Sequence, residues 1–175
     1  MLIVTEPAVP LPPLVVMGVS GSGKSTIGSL LGQRTGVPFI DGDALHPASN
    51  VAKMAAGEPL DDDDRWPWLQ AIGHAIADGV EVGSPTIVAC SALKRRYRDA
   101  LRAAVPELRF ALLTSSRDVL DGRVRGRGDH FMPATLLDSQ LDALEPLEPD
   151  EAGVIVDNTG DPEEVVARIV RAFAR

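Results

Sequence analysis

Cysteine is nearly absent from this chain of 175 residues, with Cys90 standing alone. No internal disulfide can form, and the composition suits a reducing compartment. The setting of that cysteine, Thr86-Ile87-Val88-Ala89-Cys90, reads as a buried small apolar residue rather than a nucleophile. Histidine is scarce too: His46, His74 and His130 are the whole set, and no second His or Cys stands at ligand spacing, so the makings of a zinc site are missing. No apolar run approaches the length of a membrane span. Basic residues are in deficit, 17 Lys and Arg against 25 Asp and Glu for a formal net charge of -8. That mean field repels a phosphate backbone and argues against a general nucleic-acid binder. Small anions stay possible, because local Lys, Arg and backbone N–H groups hold them whatever the global sum. Residues 1–13 contain Pro7, Pro10, Pro12 and Pro13 and no Lys or Arg. They lack the charged start of a signal peptide and read as a loosely ordered tail, so the expected location is cytoplasmic.

What is present is ordinary for one soluble domain, with 45% hydrophobic and 24% charged residues and no internal repeat. Short apolar runs alternate with helical patterns, the signature of a parallel sheet covered on both faces. Five strands are expected: Leu14–Met17, Val37–Ile40, Pro85–Ser91, Leu108–Thr114 and Gly153–Asp157. A helix follows Lys24, and a longer one starts near Trp66, carrying Leu69, Ile72, Ile76 and Val80, with Pro67 suited to its first turn. Further helices are expected over 94–104 and 117–125. The last helix carries Val165, Val166, Ile169, Val170 and Phe173 at helical period. The expected fold is α/β, three layers with a five-stranded parallel sheet, as a single domain over 14–175 with a short lid at about 123–135. Right-handed crossovers place binding residues on loops at the carboxyl ends of the strands.

Residues Gly18 to Ser25 read G-V-S-G-S-G-K-S between a strand pattern and a helical one. This is the context a phosphate-binding loop requires: glycines permit positive φ angles that aim backbone N–H groups at one point, and the helix start adds unpaired amides and its positive dipole end. Gly18, Ser20, Gly21, Ser22, Gly23, Lys24, Ser25 and Thr26 are therefore candidates for holding ATP. Lys24 reaches the β- and γ-phosphates and the Ser25 hydroxyl takes a site on Mg²⁺.

Four other segments carry candidates. Asp41-Gly42-Asp43 closes the second strand, and on extended backbone both carboxylates face one way, one toward a metal and the other toward an attacking hydroxyl. The alternative is that they make turns or cap a helix. Asp61 to Asp64 suit a helix N-terminus, whereas Arg65 directly after them is placed to reach an anion. Lys94 and Arg98 are four apart on one helix face and form the better anion-binding pair, with Arg95, Arg96 and Arg102 left to solvent. Arg123 to Phe131 interleave arginine with glycine, which suits either a mobile lid over the nucleotide or a solvated basic loop. The loop Asp157-Asn158-Thr159-Gly160-Asp161-Pro162 sits where an adenine ring could rest, and Asp161 doubles as a helix cap.

Together these strings resemble the gluconokinases, small P-loop kinases that phosphorylate D-gluconate with ATP. The resemblance rests on G-V-S-G-S-G-K-S at 18–25, D-G-D-A-L-H-P at 41–47, N-V-A-K-M-A-A-G-E-P-L-D-D-D-D-R-W-P-W-L at 50–69 and C-S-A-L-K-R-R-Y-R-D at 90–99, with R-V-R-G-R-G-D-H-F at 123–131 weaker. It implies transfer of the γ-phosphoryl group to the C6 hydroxyl of gluconate, in a cytoplasmic homodimer. Carried onto this chain, it makes Asp43 the residue that orients or deprotonates the hydroxyl and places Asp41 near the metal. His46, Arg65, Lys94, Arg98 and His130 become sugar-acid candidates. Arg127 becomes the lid arginine on the phosphoryl group, with Arg123 nearer the adenine, while Asn158 and Pro162 stay nucleotide candidates by the position of their loop. Gly128-Asp129 departs from the pattern by placing an acid in the lid.

Two rivals fit the same phosphate loop: another small-molecule kinase, such as a shikimate or adenylylsulfate kinase, and a nucleotide-dependent switch. The second lacks an Asn-Lys-x-Asp segment, because Asn50 and Asn158 are the only asparagines and neither precedes Lys.

Overall fold

A computed structural model describes residues 10–126 and 134–174. The order of elements is β1 (Leu14–Met17), α1 (Lys24–Thr35), β2 (Phe39–Asp41), a 3₁₀ turn (Gly42–Leu45), α2 (Ala48–Ala55), α3 (Asp62–Glu81), β3 (Ile87–Ala89), α4 (Arg95–Ala104), β4 (Arg109–Thr114), α5 (Arg117–Arg125), α6 (Ala134–Ala143), β5 (Gly153–Asp157) and α7 (Pro162–Phe173). The five strands form one parallel sheet in the order β2-β3-β1-β4-β5. The chain crosses to one side after β1 and to the other after β3. The carboxyl ends of these two neighbours therefore bound the crevice where an open α/β sheet binds its ligand.

Alternation along β1 divides the core. Val15 and Met17 face α3 and α4, meeting Trp68, Leu69, Ile72, Ile76, Tyr97 and Leu101. Leu14 and Val16 face α1 and α7, meeting Ile27, Leu31, Val166 and Ile169. With both faces covered, β1 is wholly buried. A smaller cluster of Val19, Leu120, Val124 and Leu137 packs α5 and α6 against the phosphate loop.

The three layers and five strands are as expected, and the differences are local. Helix α3 starts at Asp62, four residues before Trp66, because Asp61 and Asp64 form a reciprocal capping box. Pro67 thus lies in the second turn rather than the first. The short helices α2 and α6 were not among those expected from the sequence. The third strand shrinks to Ile87–Ala89 and the second moves to Phe39–Asp41. Leu11, inside the expected tail, is buried against the α1–α7 side of the core, and the Pro13 carbonyl accepts from Arg109 N at 3.0 Å. Packing therefore begins before β1. No helix among the described residues is long and apolar enough to cross a membrane.

Candidate active site

β1 delivers its last residue to a loop whose glycines take the positive φ that the sequence requires, 80° at Gly21 and 95° at Gly23. Gly23 also caps α1, and a Cβ there would stand 2.3 Å from Asn158 Nδ2, so no side chain fits. The loop is braced from outside. Asn158 Nδ2 donates to Ser22 O at 2.7 Å, and Arg123 donates to Gly21 O at 3.1 Å, to Ser115 Oγ at 3.2 Å and to the Asn158 carbonyl. Gln140 Oε1, on α6, accepts from Ser20 N at 2.7 Å. Lys24 lies along the loop with Nζ donating to Val19 O at 3.0 Å. Ser22 is fully buried, and its hydroxyl has no partner among the described residues. Gly23, Thr26, Ile27, Arg123, Gly126, Asn158 and Pro162 line one depression beside the start of α1. Three expected adenine-side residues, Arg123, Asn158 and Pro162, thus share one wall with the loop.

Across the crevice, Asp41 and Asp43 diverge. Extended backbone was expected to aim both carboxylates the same way, but Asp41 instead caps the 3₁₀ turn, with Oδ1 accepting from Asp43 N at 3.0 Å. Its Oδ2 accepts from the Ser25 hydroxyl at 2.9 Å, which couples β2 to the phosphate loop. Asp43 projects outward with its side chain 73% exposed, 3.9 Å from Nε2 of the nearly buried His46. His46 stacks on Trp68 with ring centroids 4.0 Å apart, and Trp68 Nε1 donates to Gly42 O at 2.8 Å. Burial holds His46 below its ordinary pKa, opposed by Asp43 and assisted by Arg65.

Around Tyr97 three cations gather. Arg65, Lys94 and Arg96 lie 5.6, 5.8 and 5.8 Å from the ring centroid. Arg65 donates to the Tyr97 hydroxyl at 3.2 Å, and that hydroxyl donates to Asp62, which also pairs with Lys94 at 3.3 Å and with Arg96. The Tyr97 hydrogen bond, with Lys94 and Arg96 behind it, holds the Asp62 carboxyl below its ordinary range against desolvation. One carboxylate among three cations leaves the cluster positive.

Arg98 is the correction. It was expected to share an anion site with Lys94, yet it is fully buried, with Nε and NH2 donating to Glu151 at 2.6 and 2.9 Å and NH1 to Ala92 O at 3.0 Å. Its charge is satisfied inside the fold. It props the turn after β3, where Ala92 holds a φ of 43° that a non-glycine residue rarely adopts. Burial pushes the Glu151 carboxyl up, but hydrogen bonds from Arg98, Glu148 N and Arg102 overcome it and bring it down to about 2. Arg95 and Arg102, assigned to solvent in the sequence reading, are instead paired, Arg95 with Glu148 and Asp150 and Arg102 with Glu151 and Asp99. Arg127 and His130 lie outside the described residues.

Cys90 directly follows β3. It is fully buried, and burial pushes its thiol up to about 12, with the charge of Asp43 adding to that and those of Lys24 and Arg65 opposing it. As the sequence suggested, this cysteine is no nucleophile.

The AAA domain family AAA_33 matches residues 14–147. The thermoresistant gluconokinase of Escherichia coli is 42% identical over 162 residues, covering 92% of this chain and 93% of its own. The chain belongs to the gluconokinase family. A gluconokinase from Sinorhizobium meliloti superposes with a TM-score of 0.84 at 46% identity, covering 95% of this chain and 93% of the other. The APS kinase of Mycobacterium tuberculosis, solved with AMPPNP and APS, reaches a TM-score of 0.65 at 16% identity over 93% of this chain and 98% of its own, which shows a shared fold alone. Of the rival readings, the adenylylsulfate kinase thus shares the architecture without the sequence that marks the gluconokinase family. Sequence reasoning missed Asn50, Trp68, Gln140 and Glu151. Their roles depend on partners 14 to 120 residues away, and no local spacing signals that.

Proposed function

We propose that this protein transfers the γ-phosphoryl group of ATP to the C6 hydroxyl of D-gluconate, giving 6-phosphogluconate and ADP. The observation that carries the reading is the 2.9 Å hydrogen bond from the Ser25 hydroxyl to Asp41, which sets the phosphate loop against the strand end that leads into Asp43. Asp43 in turn lies 3.9 Å from His46, which Asn50 links to the Asp64 carbonyl beside Arg65, so a carboxylate and a carboxylate-binding cation adjoin the nucleotide loop.

Phosphoryl transfer asks for in-line oxygens and neutralised charge more than for covalent help. The loop amides and Lys24 hold the phosphates. Asp43, exposed to the crevice, accepts the hydroxyl proton as the oxygen attacks. Arg65 and Lys94 pair with the sugar-acid carboxylate, and the rigid Tyr97–Asp62 frame keeps both heads in place. The family resemblance would assign Arg127 to the phosphoryl group, and His130 is kept as a candidate for the acid.

The Ser25 hydroxyl and Asp41 carboxylate form a hard oxygen pair of the kind Mg²⁺ prefers, so these two residues would hold it, Asp41 directly or through water. Bound there, Mg²⁺ neutralises charge on the transferring phosphates. The reading extends to a cytoplasmic homodimer, as the family resemblance implies.

The test is ADP release from MgATP against D-gluconate, other sugar acids, shikimate and adenylylsulfate. Turnover with D-gluconate alone supports the reading; turnover with another acceptor and none with D-gluconate overturns the acceptor assignment.

A further inference from the structure

Asn50 is only 1% exposed, in α2, a helix that supplies no group to the phosphates. Its Nδ2 lies 2.8 Å from the Asp64 backbone oxygen and 3.2 Å from His46 Nδ1. A backbone carbonyl can only accept, so the Asp64 oxygen decides which end of the amide is nitrogen. The second N–H then points at His46, and Nδ1 must meet it with a lone pair. Burial keeps the ring from taking a second proton, with Asp43 opposing and Arg65 reinforcing that effect. A neutral ring whose Nδ1 accepts carries its single proton on Nε2. Nε2 is the nitrogen 3.9 Å from Asp43 Oδ1. Nor can the ring turn over freely: it lies 15° from parallel on Trp68, which is itself 1% exposed and tied to Gly42.

We infer that Asn50 is a positioning residue that fixes His46 as the neutral Nε2–H tautomer, making His46 a hydrogen-bond donor to a sugar-acid oxygen rather than a second base. The inference rests on the acceptor site proposed above. It divides the labour at one point of the crevice: Asp43 accepts and His46 donates. A hydroxyl both donates and accepts, so it fits between the two. The opposite tautomer would present two acceptors and leave the hydroxyl's lone pairs unmet.

Long-range ¹H–¹⁵N NMR of the full-length protein without substrate reads the tautomer directly. There are three histidines to resolve, and His46 is assigned by its loss in His46→Gln. The expected spectrum at neutral pH has an unprotonated Nδ1 and a protonated Nε2. In Asn50→Asp, whose carboxylate cannot donate to the ring, the proton should move to Nδ1 or the ring should take a second one. KM for D-gluconate should then rise about tenfold, the worth of one hydrogen bond, with KM for ATP unchanged. A wild-type Nδ1–H ring, or Asn50→Asp with the wild-type tautomer and KM, overturns the inference. The wild-type spectrum decides even if the variant fails to fold. An Nε2–H ring in a protein that ignores D-gluconate would uphold the tautomer and remove the acceptor assignment instead.

Discussion

Ser25, in the first turn of α1, donates its hydroxyl to Asp41, the last residue of β2, at 2.9 Å. The start of α1 and the end of β2, 16 residues apart in the chain, thus present hard oxygens to each other at the mouth of the phosphate loop. Replacing Asp41 by Ala should leave the fold intact and raise the Mg²⁺ concentration needed for half-maximal turnover about tenfold or more, since a charged ligand or its water bridge is lost. A Mg²⁺ titration at saturating ATP checks this.

Lys24→Ala and Asp43→Asn should each remove most turnover while the protein stays folded. For Asp43→Asn the expected fall in kcat is about 10²–10⁴-fold, the range of a general base. Near-normal turnover in that variant would remove the base assignment and leave Asp43 a solvated turn residue.

Arg65→Gln and Lys94→Gln should each raise KM for D-gluconate by about 10- to 100-fold, matching one charge-assisted hydrogen bond, with KM for ATP little changed. Equal damage to both KM values would show that the cluster around Tyr97 shapes the whole crevice instead of reading the acid.

The buried Arg98–Glu151 pair predicts a stability effect with no counterpart in substrate binding. Glu151→Gln leaves a buried guanidinium unpaired and should cost about 3–5 kcal/mol at neutral pH by chemical denaturation. Because the folded carboxyl sits near 2 against an ordinary 4.5, the pair contributes fully above about 4.5 and loses its contribution as pH falls toward 2. The gap between wild type and Glu151→Gln should therefore narrow on acidification.

Parts of this were legible in sequence because they are local. The strand–loop–helix around Gly18–Ser25, the stripe on α7 and the Asp161 cap each depend on neighbours within a few residues. Asp41 and Asp43 were found as residues but misread as a parallel pair, since a 3₁₀ turn set by the Asp41 side chain overrode the extended pattern. Arg98 was misread for a different reason. Its spacing from Lys94 is correct for a shared face, but helix phase cannot say whether that face meets solvent or Glu151, 53 residues on. Gln140 and the Asn50–Asp64 contact left no signal, because a polar side chain on a short helix gives no hint of a backbone partner 120 or 14 residues away.

The most direct test of the central claim is NMR of the products formed from MgATP and D-gluconate. The account predicts a new phosphomonoester whose phosphorus couples to the C6 protons, formed in step with ADP. No new ester, an ester on another carbon, or ADP formed without phosphorylated acid would contradict it.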